Sequence, residues 1–184
     1  PSSYATEYTV LNAGKAGSDV YSEYIILKDY FMQYHPRLVL LLLNSSDIIE
    51  VERRGGIERF MPNGKVAVRP LPWWYELYQI SYITRIIVNR VMGYNGNLIP
   101  PSEAAAKRID AQMKIVDGIV TYIAPLAKKS NASLIVVYQP VQKDIESSDE
   151  LAFIKKQLAN YKNITTIDLL PTMRADKEAG NINL

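Results

Sequence analysis

Few residues in this chain have the means to do chemistry, and most of them stand at two places. Asn44-Ser45-Ser46-Asp47 sets an amide, two hydroxyls and a carboxylate side by side. Gly14 and Gly17 lie in the loop Ala13 to Asp19, where bare backbone N–H groups can approach a ligand closely. A serine hydroxyl becomes a nucleophile at neutral pH only beside a base. The chain has one imidazole, His35, and no cysteine. Multi-histidine metal centres, thiolate metal sites and disulfides are thereby excluded within it. Ser45 and Ser46 have no evident base partner. Asp47 reads as a carboxylate that shapes its loop or as part of a site, and Asp168 as a cap or turn residue or as a second acid.

These residues need elements to hold them. Leu38-Val39-Leu40-Leu41-Leu42-Leu43 is apolar without alternation, so neither face of the segment expects water. That is the pattern of a central strand in a parallel sheet covered on both sides. In open parallel sheets, ligands gather at the carboxyl ends of the strands, which places Asn44 to Asp47 at the working edge. His35 precedes the strand and belongs to the opposite edge.

The chain read in order supports the same architecture. Tyr8 to Asn12 is a short β-prone run, followed by the glycine loop. Ser18 or Asp19 caps a helix whose apolar positions are Val20, Tyr24, Leu27, Phe31 and Tyr34. Pro36 ends it. Pro100 to Glu103 starts a long helix capped by Ser102, with Ile109, Met113, Val116, Val120, Ile123 and Ala127 inward and a kink or early end near Pro125. Leu134 to Tyr138 is a second strand. A helix covers about Asp149 to Tyr161, and Ile164 to Leu169 is a third, edge-like strand. Strands alternating with helices give an α/β fold, a flavodoxin-like three-layer α/β/α with a mostly parallel sheet.

Residues 49–100 interrupt this rhythm as a helical insertion. Pro62-Asn63-Gly64 marks a turn and Val66 to Val68 a short strand. From Pro70 to Met92 the chain carries Trp73 and Trp74. Leu77, Ile80, Ile83 (or Tyr82), Ile87 and Val91 follow near helical spacing, with Glu76, Arg85 and Arg90 the charges. The segment reads as a helix packed on the sheet or as an aromatic lid over a substrate pocket, with Trp73 and Trp74 as lid residues. A membrane-surface helix calls for a more basic polar face.

The whole chain, 184 residues at a net charge of +2, is expected to be one domain over 1–184. Its charge is too small to argue for nucleic acid. No apolar run has membrane-spanning length. Composition leaves the oligomeric state and the compartment open, an extracytoplasmic one included.

The run Val10 to Gly17, the helix after it, His35-Pro36-Arg37-Leu38-Val39 and Ser46-Asp47-Ile48 together resemble the second and third sequence blocks of the SGNH (GDSL-type) hydrolases. Leu134 to Pro140 and Thr166 to Pro171 resemble that family's fourth and fifth strands. The resemblance implies a serine esterase acting on a small ester or an acylated glycan or lipid, by acyl transfer to water without metal or cofactor. In that family a serine attacks the ester, a histidine takes its proton and an aspartate orients the histidine. The oxyanion is held by the serine N–H, a glycine N–H and an asparagine amide. By this match Gly17 is the glycine donor. Ser46 stands where the family has asparagine, and Asn44 can supply an amide from two residues earlier. The family's nucleophile block would precede Tyr8 and its Asp-x-x-His block would follow Leu169. The chain is therefore expected to be incomplete at both ends, carrying the oxyanion-side loops. The alternative is a non-catalytic SGNH-like or flavodoxin-like module that binds a glycan or lipid.

Overall fold

The computed structural model describes residues 9–67, 70–146 and 149–181. The fold is α/β. Three parallel strands, β1 (Leu38–Leu43), β2 (Ser133–Tyr138) and β3 (Thr165–Asp168), lie in the order β1-β2-β3. Leu38 pairs with Ser133 through to Leu43 with Tyr138, and Ile135 with Thr165 through to Tyr138 with Asp168. Helices flank the sheet, as in a flavodoxin-like three-layer arrangement.

In chain order the helices are α1 (Val20–Ile26), α2 (Ser45–Arg54), α3 (Tyr75–Ile80), α4 (Tyr82–Ile86), α5 (Pro101–Asp117), α6 (Ala124–Lys129), α7 (Gln142–Glu146), α8 (Ala152–Leu158) and α9 (Leu170–Glu178). Asp19 caps α1, its carboxylate accepting the Tyr21 and Ser22 N–H groups. After α1 the helix widens into a π turn over Leu27–Phe31, tightens over Met32–Tyr34 and stops at His35, which takes a left-handed φ of 50°. Pro36 bars His35 from continuing the helix.

A second π turn, Gly118–Ile123, joins α5 to α6 and brings Pro125 into the first turn of α6, where its missing N–H costs little. The long helix therefore runs through Pro125. Pro100, not Ser102, is its N-cap, with Pro101 already helical. Its buried face is Ala111, Ile115, Val116, Ile119, Ile123 and Ala127, whereas Ile109 and Met113 are exposed. The π turn rotates the inward stripe, so the first half of the expected face misses the core. Gly118 sits in this turn against α1. A Cβ there would lie 2.8 Å from Val20 Cγ1. Gly118→Ala is expected to lose about 1–2 kcal/mol, because overpacking outweighs the gain in helix propensity. Urea unfolding measures it.

The core joins the α1, α2, α5 and α8 faces to Leu41, Leu43, Val136 and Tyr138. Two expectations fail at the sheet. Residues 9–12 form no strand, and Val10 is 85% exposed; Tyr8 lies outside the described residues. A β-prone run needs a neighbour to pair with, and propensity alone does not supply one. The all-apolar run of β1 is also not covered on both faces. Leu41 and Leu43 are buried while Leu38, Leu40 and Leu42 stay about half exposed, Leu40 at 54%. Among the described residues β1 is an edge strand with no ladder partner on its outer side.

Residues 49–100 first complete α2; a 3-10 turn at Ile57–Arg59, a small antiparallel bridge from Phe60 to Val66 closed through the Pro62-Asn63-Gly64 turn, and the short helices α3 and α4 follow. Val68 lies outside the described residues. The stripe Leu77, Ile80, Ile83, Ile87 and Val91 does not pack inward: all five side chains are exposed, Ile80 at 80% and Val91 at 76%. The chain breaks at Ser81, which caps α4, and a π turn over Ile87–Val91 buries Val88 instead.

Candidate functional site

The carboxyl end of β1 runs directly into α2. Asn44 is the N-cap, and its side-chain oxygen accepts both the Ser46 N–H at 2.8 Å and the Ser46 hydroxyl at 2.6 Å. Asp47 reaches back and accepts the Asn44 N–H at 2.8 Å. This reciprocal cap satisfies orphan N–H groups of the first turn. It brings Asn44, Ser46 and Asp47 together and gives each a defined job. A backbone N–H can only donate, so the atom facing Ser46 must be Oδ1. The Asn44 amide NH2 therefore faces away from the helix, and it makes no hydrogen bond among the described residues.

Ser46 is exposed, but its hydroxyl is spent on Asn44. His35 cannot serve as its base. The strand between them has six residues at about 3.3 Å each, so roughly 20 Å separate them.

Gly17 has a φ of +68°, the left-handed region that favours glycine. Its carbonyl accepts Arg54 Nη1 at 2.5 Å. Arg54 is the last residue of α2, so the glycine loop is tied to the end of that helix remote from Asn44. Gly14 closes on its own loop, its N–H donating to Asn12 Oδ1 at 2.9 Å.

Behind the cap lies a set of buried charges. Asp19 and Arg59 pair at 2.6 Å, 0% and 3% exposed at their side chains. Arg59 also donates to Ser22 Oγ at 2.9 Å and to the Gly55 carbonyl at 2.7 Å. Burial pushes the Asp47 carboxyl up to about 7, against the stabilising Asn44 N–H and helped by the nearby Glu23, Asp19 and Glu50 charges. Burial likewise raises Glu23 to about 7, with Asp19 adding to it and the Ser18 hydroxyl opposing. Sequence reasoning found Asp19 as a cap and Asp47 as a loop acid. It missed Glu23 and Arg59. Asp19 and Glu23, four apart on one helical face, were a legible signal; Arg59, forty residues from Asp19, offered none.

At the end of β3, Asp168 accepts the Leu170 N–H at 3.0 Å and opens α9. Lys155 bridges it to Asp149, at 2.8 Å to each, so Asp168 is a turn residue just before the N-cap Leu169, held in an ion network. Tyr138, beside it, is pushed up to about 12 by burial and by the Asp168 charge.

The expected lid residues belong to the insertion. Trp73 is 89% exposed, and Trp74 stacks edge-on against Tyr94 and tilted against Tyr78. Asn97 fastens the insertion to α2, donating to the Ile49 carbonyl and to Glu52. Among the described residues no group of three or more His, Asp or Glu is placed to hold a metal ion, and no helix is long and apolar enough to cross a membrane. No protein-family model, curated protein or solved structure matches the chain.

Proposed function

We propose that this chain supplies the oxyanion side of an SGNH-type acyl-ester hydrolase, with Asn44 as its amide donor. The observation that carries this is the orientation of Asn44: two Ser46 donors pin its oxygen, and its NH2 is left without a hydrogen bond among the described residues, at the carboxyl end of a parallel strand. A donor fixed before the substrate arrives costs no reorganisation in the transition state. In this reading Ser46 orients Asn44 and is not a nucleophile. Nucleophile and base are contributed by residues outside those described. The substrate is a small ester or an acylated glycan or lipid.

The chain itself is expected to hydrolyse no ester, because general-base assistance alone is typically worth ~10²–10⁴-fold and no base partners Ser45 or Ser46 among the described residues. Short-chain nitrophenyl esters test this, and turnover abolished by Ser46→Ala would overturn it. In a longer polypeptide that carries this sequence and is active, Asn44→Ala should lower kcat by about 10²-fold with KM nearly unchanged, as expected for loss of one oxyanion donor. An unchanged kcat would remove Asn44 from the reaction. The second reading, a non-catalytic module for a glycan or lipid, is favoured by the commitment of the Ser46 hydroxyl to Asn44. It predicts saturable ligand binding with no turnover in any context.

A further inference from the structure

The insertion presents an apolar surface that the fold leaves uncovered. Trp73, Leu77, Ile80, Ile83, Ile87 and Val91 are all exposed, although their spacing is that of a core-facing stripe. Large exposed apolar side chains gathered in one short segment mark a candidate interaction site. Its chemistry narrows the partner. Arg85 and Arg90 rise from the same helical segment and are exposed. Arg85 donates to the Gln79 carbonyl, and Arg90 makes no hydrogen bond or ion pair among the described residues. Glu76 is the one acid between Pro70 and Tyr94. Tryptophan and tyrosine crowd the amino-terminal end at Trp73, Trp74, Tyr75 and Tyr78.

We propose that this face docks on an anionic lipid surface, with α3, α4 and the turn after them lying in the plane of the interface. Aliphatic side chains would enter the acyl boundary, the aromatic rings would sit at headgroup level, and the two arginines would meet phosphodiesters while their stems run along the apolar face. The helices are too short to span, which leaves the in-plane orientation. A second copy fits the same face poorly. Apposing two copies would bury four arginines against two glutamates, and unpaired charges in an interface core are costly. The polar side is less basic than sequence alone calls for in a membrane-surface helix; the exposure of the apolar side chains is what favours the reading, so apolar area carries most of the binding and anionic lipid adds to it. This inference does not depend on the esterase reading.

Co-sedimentation of the purified chain with phosphatidylcholine vesicles, with and without phosphatidylglycerol, tests it. The expected result is binding to both, several-fold tighter with phosphatidylglycerol, accompanied by a blue shift of tryptophan emission. Ile80→Asp/Ile83→Asp should weaken binding by at least about tenfold, and Arg85→Gln/Arg90→Gln should erase the phosphatidylglycerol preference. Both pairs are exposed, and circular dichroism checks that the variants are folded. Failure to bind either vesicle would overturn the proposal. So would undiminished binding by the Ile80→Asp/Ile83→Asp variant, which would assign it to another apolar patch such as Leu38, Leu40 and Leu42. A concentration-dependent dimer abolished by the same substitutions, without vesicle binding, would overturn it in favour of a second copy.

Discussion

Arg59→Met is expected to destabilise the fold by about 3–5 kcal/mol, the usual cost of removing one partner of a buried ion pair. The arginine is almost fully buried and holds three separate places together: Asp19 at the start of α1, Ser22 one turn on, and the Gly55 carbonyl just after α2. Its guanidinium also lies over the Phe60 ring, 4.5 Å from the centroid. Methionine replaces the stem and part of the packing but leaves Asp19 charged, buried and without a counter-ion. The second Asp19 oxygen already lacks a hydrogen-bond partner, so nothing nearby is ready to take over. Asp19→Asn keeps a capping oxygen and removes the charge. The double variant Asp19→Asn/Arg59→Met should therefore lose less than the two single variants added together, a coupling of about 1–3 kcal/mol. Urea unfolding of the four proteins closes the cycle. A cost for Arg59→Met within about 0.5 kcal/mol, that of an ordinary surface change, would refute the buried-pair account.

The residues of that pair show what was legible in the sequence and what was not. Asp19 announced itself as a cap by its place between a glycine loop and an apolar helical stripe. The three strands β1, β2 and β3 were legible as short apolar or half-apolar runs bounded by proline and polar residues, and their parallel pairing followed from the helices between them. The position of Asn44, Ser46 and Asp47 at a strand's carboxyl end followed too. Three things were not legible. Tyr8 to Asn12 has strand propensity, but pairing is decided by a neighbour that local sequence does not name. The π turn at Gly118–Ile123 shifts the helical phase, so Ile109 and Met113 were assigned to a face that turns to solvent. Periodicity also identifies a stripe without saying what lies against it: Leu77, Ile80, Ile83, Ile87 and Val91 repeat as a core face would, yet face outward. The same limit applies to β1, where a run apolar on both faces is buried on only one. At the site, one-helix contacts were readable and long-range ones were not. The Asn44 to Asp47 cap lies within four residues, whereas the Arg54 hold on Gly17 spans 37 positions.

Stability is expected to fall as pH rises from about 5 to about 8, by roughly 2–4 kcal/mol. Asp47 is the main source. Its carboxyl is 4% exposed, lies near Glu23, Asp19 and Glu50, and titrates at about 7 in the fold. In the unfolded chain it titrates near 4. Between those values the folded state binds the proton and the unfolded state does not. The slope of unfolding free energy with pH is then negative. The stabilisation is complete below pH about 4 and is lost as pH passes through 7. Glu23, also raised to about 7, acts in the same direction, with less weight because it is less fully buried than Asp47. Two further shifted groups, Glu58 downward and Lys114 upward, do not blur the window. Glu58 is lowered from an ordinary carboxylate value, so its contribution changes only at more acid pH, and Lys114 is raised, so its contribution changes only in alkali. Arg59 faces the cluster but is committed to Asp19, and Arg54 to Glu50 at 3.0 Å, so neither frees Asp47 from its burial cost. Asp47→Asn keeps an oxygen for the Asn44 N–H and removes the buried charge. It should flatten the pH profile and make the variant about 1–3 kcal/mol more stable than the parent at pH 8, while leaving the two nearly equal at pH 5. Asp47→Ala removes the charge and the cap together and should gain less, by about 1 kcal/mol. Thermal and urea unfolding at pH 5, 6, 7 and 8 read the slopes directly. A parent that is equally stable at pH 5 and pH 8, or an Asp47→Asn variant weaker than the parent at pH 8, would show that Asp47 stays ionised and is stabilised within the fold.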